Sequence, residues 1–136
     1  MSAALVRELR DLLGADAVLT EAGDLVKYEE GWRYGRGRAL LVARPGTPAQ
    51  VAALLKACQA AGVRVLPQGA NTGLVGASTP DGSGQMAVLS LERLNRRLEI
   101  DPVNRTVRVD GGVLLSALNE ALLPHGLMFP IDLGAD

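Results

Sequence analysis

The sequence predicts an α/β fold, in which a small sheet of parallel strands is flanked by helices and accompanied by a β-hairpin. Residues 39–42 form a short, continuous apolar run, which is typical of a strand covered on both faces. A helical pattern follows from Thr47, and a second apolar run occupies residues 63–66. Because a short crossover helix joins the two runs, they are predicted to lie parallel in one sheet.

The start of the chain predicts an amphipathic helix and then an irregular segment. Leucines at positions 5, 9, 12 and 13 fall on one helical face, and Gly14 can end the helix. The pattern of residues 16–27 is ambiguous, and residues 28–38 indicate irregular surface chain. We therefore expect a single domain over residues 1–136, with an N-terminal part (1–38) and a main lobe (39–136).

The crossover helix carries strong start and stop signals. Thr47 is a good N-cap, Pro48 suits the first helical position, and Gln50 completes a capping box. Every third or fourth residue from Val51 to Cys58 is apolar, and Gly62 ends the pattern.

The second half of the chain predicts a long loop, a strand, a hairpin and a last helix. Residues 67–84 contain five glycines and two prolines and are expected to be loop. Residues 86–89 return to strand, and the alternation over residues 98–109 indicates a hairpin that turns at 101–104. A helix with leucines at 115, 118 and 122 should follow, ended by a proline and a glycine.

Composition excludes several classes of function. Apolar residues make up 48% of the chain and charged residues 21%, with a net charge of −1 and no basic stripe suited to nucleic acid. One cysteine and one histidine argue against a disulfide or a metal site. No segment approaches the roughly 20 apolar residues of a membrane span. We expect a cytoplasmic protein, with Cys58 in the core and His125 serving a helix end rather than catalysis.

The informative stretch runs from Pro67 to Ser78 and reads PQGANTGLVGAS. Glycine permits positive φ and close approach of a ligand, and successive N–H groups in such a turn can cradle an anion. Neither the Gly-Lys-Ser/Thr of a P-loop nor a G-x-G-x-x-G that opens a helix is present. The pattern favours a phosphate site built from backbone dipoles, with Asn71, Thr72 and Ser78 adding donors at the rim. A surface loop without a ligand is the alternative.

This motif resembles the pyrophosphate loop of FAD-linked oxidases with the vanillyl-alcohol oxidase / p-cresol methylhydroxylase fold. Within that fold, it is most similar to the D-2-hydroxyglutarate and D-lactate dehydrogenase branch. The resemblance covers about residues 27–135 and includes Trp32, the Arg44-Pro45 break and the segment FPIDLGA at 129–135. It implies that residues 39–136 are the first lobe of a p-cresol methylhydroxylase-type FAD-binding domain.

The resemblance also implies the residues that contact the cofactor. The turn that wraps the FAD pyrophosphate corresponds to Gly69, Ala70, Asn71, Thr72 and Gly73. Its second contact corresponds to Ala77 and Ser78. The segment near the flavin or adenosine end corresponds to Pro130, Asp132, Leu133 and Gly134. Relatives that attach FAD covalently carry a histidine near positions 71–72, so we expect non-covalent FAD here.

The implied reaction is oxidation of a D-2-hydroxy acid to the 2-oxo acid, with no catalytic residue or metal ligand in this chain. The resemblance further implies that the chain is an N-terminal fragment, inactive alone, whose partners are the rest of the FAD-binding and substrate domains. A homodimer through exposed apolar surface is also expected. The alternative function is a stand-alone, non-catalytic domain that binds a nucleotide or a partner. Trp32 is expected to pack the irregular segment onto the domain, and Asp132 to bind the cofactor or turn the chain.

Overall fold

A computed structural model describes residues 2–33 and 35–131 of the chain. The helices are α1 (Ser2–Leu13), α2 (Ala22–Glu29), α3 (Pro48–Ala60) and α4 (Leu115–Leu122), with 3₁₀ turns at Ala15–Ala17 and Leu123–His125. The strands are β1 (Val18–Leu19), β2 (Ala39–Ala43), β3 (Arg64–Gln68), β4 (Met86–Ser90), β5 (Leu98–Asp101) and β6 (Thr106–Val109). The predicted α/β class is confirmed.

Four strands form the main sheet, in the order β1-β2-β4-β3. Strand β4 lies between β2 and β3 and is parallel to both, with Val42 and Leu66 each opposite Val88. The two strands of the predicted βαβ unit are therefore parallel, as expected, but they are not neighbours. The short strand β1 adds an antiparallel edge beside β2.

Both faces of this sheet are covered, as the continuous apolar run of β2 predicted. Leu41 and Ala43 face the side covered by α1 and α3, where Leu9 and Leu54 are fully buried. Val42 faces the other side, where it packs with Tyr28 of α2. Alternate residues of one strand thus enter two cores, which explains why the run contains no polar position.

Helix α3 begins as its capping signals predicted. The Thr47 hydroxyl accepts a hydrogen bond from the N–H of Gln50 at 3.1 Å. The side chain of Gln50 reaches back and accepts from the N–H of Gly46 at 2.8 Å, one residue before the cap. Two N–H groups at the start of the helix are thereby satisfied, and Gly62 follows the helix with φ +66°.

The hairpin of β5 and β6 forms a separate two-stranded sheet. The Asp101 carboxylate accepts hydrogen bonds from the N–H groups of Val103 and Asn104, which closes the predicted turn. The hairpin is fastened to the chain after β4 by Gly112, where a Cβ would lie 1.8 Å from the carbonyl oxygen of Leu91. Only glycine fits this contact.

The structure corrects three expectations for irregular segments. Strand β3 continues to Gln68, so the long loop begins at Gly69; Pro67 is tolerated because β3 is an edge strand. Tyr28 belongs to α2 and is buried. Trp32 is 59% exposed, so its expected packing is wrong. The segment around Trp32 is held instead by an isolated antiparallel β-bridge between the backbones of Glu30 and Arg36.

Candidate cofactor site

The candidate site lies where the three parallel strands end. Arg44 follows β2, Gly69 follows β3 and Glu92 lies just beyond β4. Because parallel strands present their carboxyl ends at one edge of a sheet, these residues share that edge, where open α/β sheets usually bind ligands. Residues 69–78, here called the glycine loop, start directly from it.

The backbone N–H groups of the glycine loop have no hydrogen-bond partner among the described residues. In residues 2–33 and 35–131, no hydrogen bond has a main-chain nitrogen of residues 69–78 as its donor. The loop contains no proline, so each of its residues carries an N–H. As far as the described residues show, these donors are free for water or a ligand, which is the arrangement that an anion-binding turn requires.

Two predicted site residues use their side chains for hydrogen bonds that hold the loop in place. Asn71 has φ +59°, and its Nδ2 donates to the carbonyl oxygen of Glu30 at 2.6 Å. The Ser78 hydroxyl donates to Oδ1 of Asn71 at 2.9 Å, so the side chains of Asn71 and Ser78 join the two ends of the loop. Their predicted roles in cofactor binding stay predictions.

The remaining loop positions are open to approach. A Cβ added to Gly69 would meet nothing within 4 Å, and Ala70 does not adopt positive φ, so its methyl group is accommodated without strain. Gly76 has φ +70°, a backbone conformation in which a residue with a side chain would be strained. Gly69, Ala70, Gly73 and Ala77 are exposed, and Thr72 is half-buried.

Gln68 was missed as a site residue. Its side chain is 2% exposed, and its Nε2 donates to the carbonyl oxygens of Tyr28 at 2.9 Å and Ser78 at 2.8 Å. The available signal was a polar residue at the end of an apolar strand and directly before the glycines.

The second predicted segment is only partly described. Pro130 is exposed, whereas Asp132, Leu133 and Gly134 lie outside the described residues. The N–H of Phe129 donates to Oδ1 of Asn119 at 2.9 Å, which ties the segment to α4. Beside it, an open groove of about 460 Å³ is lined by residues 105–107, 122 and 126–130.

A charged cluster occupies the same sheet edge as the glycine loop. Glu92 accepts hydrogen bonds from the Tyr28 hydroxyl at 2.8 Å and from Arg44 Nη1 at 3.1 Å, and Lys27 Nζ lies 3.4 Å from its other oxygen. Partial burial disfavours the charged carboxylate, but the hydrogen bonds from Tyr28 and Arg44 and the nearby Lys27 outweigh it. The pKa of Glu92 is therefore lowered.

Other chemistry is not indicated by the part of the chain that the structure describes. It contains no group of three or more His, Cys, Asp or Glu side chains that could hold a metal ion. Among its helices, none has both the length and the apolar character to cross a bilayer. Cys58 is fully buried, as expected of a core residue. His125 ends the 3₁₀ turn after α4.

Comparison with known proteins gives a family match. The model of one protein family, described as "FAD binding domain", matches residues 39–136, which is the whole of the predicted main lobe. Individual proteins of similar sequence were also found. A D-2-hydroxyglutarate dehydrogenase from Xanthomonas citri pv. viticola is 36% identical over 131 residues, covering 96% of this chain and 27% of the relative. A quinone-dependent D-lactate dehydrogenase from Escherichia coli K12 is 36% identical over 126 residues, covering 90% of this chain and 22% of the relative.

Solved structures show the same fold. A crystal structure of p-cresol methylhydroxylase with substrate bound matches 92% of this chain and 25% of its own, with a TM-score of 0.74 and 24% identity. At this identity, the likeness concerns the fold, and it confirms the architecture that the resemblance implied. The chain spans about a quarter of the length of the relatives that it matches.

We predict that the Glu92 cluster stabilises the fold above about pH 4.5 and loses this contribution in acid. Since the pKa of Glu92 is lower in the folded than in the unfolded chain, its stabilisation falls as the pH drops through the folded value. Glu92→Gln should reduce the free energy of unfolding at pH 7 by about 0.5–1 kcal/mol, because the carboxylate is partly exposed.

Urea unfolding between pH 7 and pH 3 measures this effect. The difference between wild type and Glu92→Gln should shrink as the pH falls below 4.5. Glu120→Gln, an exposed change on α4, is the matched control and should follow the wild type. A constant difference at all pH values would contradict the assignment.

Proposed function

Because the chain belongs to the family of FAD binding domains, we propose that its glycine loop binds the diphosphate of FAD through main-chain N–H groups. The residues proposed for the first turn are Gly69, Ala70, Asn71, Thr72 and Gly73, and those for the second contact are Ala77 and Ser78. Pro130, Asp132, Leu133 and Gly134 are proposed for the flavin or adenosine end.

The state of the loop amides is the observation that carries this proposal. Six of the ten loop residues are exposed and four are half-buried, and no loop N–H donates to a described protein atom. No Lys or Arg occurs between Arg64 and Arg93, so the charge of a diphosphate would be met by backbone dipoles. Such a site suits a group that is held and does not react. The residues that are present therefore fit FAD, and we propose that it is bound without a covalent link.

We further propose that the whole protein oxidises a D-2-hydroxy acid to the 2-oxo acid. This rests on the names of the relatives, a D-2-hydroxyglutarate dehydrogenase and a D-lactate dehydrogenase. The flavin, when bound, supplies the hydride acceptor for the α-carbon of the substrate. The residues of this chain would bind and orient the cofactor and would take no part in proton transfer.

Binding of FAD tests the role of the loop directly. We expect Gly69→Ala to leave the fold unchanged, because a Cβ there meets no atom within 4 Å. The added methyl group would occupy the space next to the amides and weaken FAD binding about tenfold or more, the effect of losing or lengthening a few hydrogen bonds. Quenching of flavin fluorescence during titration measures the affinity.

Gly82→Ala is the matched control, since a Cβ at Gly82 also meets nothing and the residue lies outside the loop. It should bind FAD as the wild type does. Equal affinity of the wild type for FAD and for ADP would instead favour the alternative function, a nucleotide-binding domain without catalysis. If Gly69→Ala binds FAD with unchanged affinity, the proposal that the glycine loop binds FAD is wrong.

We expect the 136-residue chain alone to leave D-lactate and D-2-hydroxyglutarate unoxidised. The relatives that carry these activities are about four times as long. The assay supplies FAD, either acid and an artificial electron acceptor, and follows reduction of the acceptor. Turnover that depends on the chain and the acid would contradict this proposal.

We propose that two copies of the chain form a dimer through exposed apolar side chains near the C-terminal helix. Leu114, Leu123 and Met128 are 54–71% exposed. We expect sedimentation velocity to show a dimer that Leu123→Glu weakens, because a charge would be desolvated in the contact. A monomer at all concentrations would contradict it.

We propose a cytoplasmic location for the protein. The single cysteine, Cys58, is buried and free, so the described fold uses no disulfide, as is usual in a reducing compartment. Fractionation of cells that express the whole protein tests this, and recovery in another compartment would exclude it.

A further inference from the structure

We propose that Gln68 is a positioning residue for the cofactor diphosphate, because its buried amide ties the end of the glycine loop to helix α2. This inference rests on the FAD-binding role proposed above. Gln68 cannot touch the ligand itself, since its side chain is 2% exposed.

The backbone of Gln68 is part of the sheet, so the starting point of its side chain is fixed. Gln68 is the last residue of β3 and lies opposite Ser90 in β4. Its carbonyl oxygen accepts a hydrogen bond from the N–H of Leu91 at 2.9 Å, one step beyond the strand pairing. The side chain therefore starts from a point that cannot move without opening the sheet.

From this point the side-chain amide reaches carbonyl groups of two different segments. Nε2 donates to the carbonyl oxygen of Tyr28, at the end of α2, and to that of Ser78, at the end of the loop. A buried amide needs partners for both of its hydrogens, because each unsatisfied donor costs stability. The two bonds consequently fix Ser78 relative to α2 and to the sheet.

The result is a loop closed by side chains instead of by its own backbone. Asn71 adds a second link, since it bonds to Glu30 just after α2 and accepts from the Ser78 hydroxyl. Because Gln68, Asn71 and Ser78 supply the closing bonds, no main-chain N–H of residues 69–78 is used for it in the described chain. The closed loop can thus direct its N–H groups at a ligand.

The test removes the two donors of Gln68 while keeping its size. Gln68→Glu has the same shape, but a carboxylate cannot donate to two carbonyl oxygens. Gln68→Met is the second variant, in case a buried charge prevents folding. Gln59→Glu, an exposed change on α3, is the matched control. Each chain is titrated with FAD, and circular dichroism verifies that it is folded.

We expect FAD to bind about tenfold to a hundredfold more weakly to both Gln68 variants, as the loss of two ordering hydrogen bonds implies. The ³¹P signals of bound FAD should also shift, which a change in overall stability alone would not produce. Without ligand, amide hydrogen exchange should accelerate in residues 69–78 and stay unchanged in β2 and β4. Gln59→Glu should match the wild type in all three measurements.

The outcomes separate this inference from the proposed function. A wild-type chain that fails to bind FAD overturns the proposed function and, with it, the role of Gln68 toward the diphosphate. Wild-type affinity and unchanged ³¹P signals in folded Gln68 variants overturn the inference alone. If both variants are unfolded, Gln68 is a general determinant of the fold, and its assignment as a positioning residue is wrong.

Discussion

Strands β2, β4 and β3 run parallel, and this constraint places their carboxyl ends at one edge of the sheet. A parallel strand cannot return through a tight turn, so each connection must cross a face and begin again at the opposite edge. Each connection leaves the sheet at the carboxyl edge, and this edge therefore carries Arg44, the glycine loop and Glu92. The anion-binding loop and the charged cluster share one border because of this topology.

A loop that offers its amides to a ligand must be held by other means. Polar side chains do this here, and the most buried of them, Gln68, bonds to Ser78 at the end of the loop and to Tyr28 in α2. The charged cluster has a related role on the same edge, because Glu92 connects α2 to the end of β2 through Tyr28 and Arg44. Helix α2 is thereby fixed by hydrogen bonds at its end as well as by its apolar face.

Local signals predicted much of the fold, and long-range pairing was what the sequence could not show. The cap of α3 at Thr47 and the alternation of the hairpin are decided by neighbouring residues, and both were predicted. The position of β4 between β2 and β3 depends on contacts between distant segments. Gln68 escaped notice for the same reason, since its acceptors lie 40 and 10 residues away. The glycine-rich motif predicted the loop, because its residues are contiguous.

Cys58 gives the protein a built-in reporter of its own opening. It is the single cysteine, it is fully buried between α3 and the sheet, and burial raises the pKa of its thiol. A thiol reagent can reach it only in molecules whose α1–α3 face has separated from the sheet. The rate of labelling at this one sulfur atom therefore counts such separations, without any engineered probe.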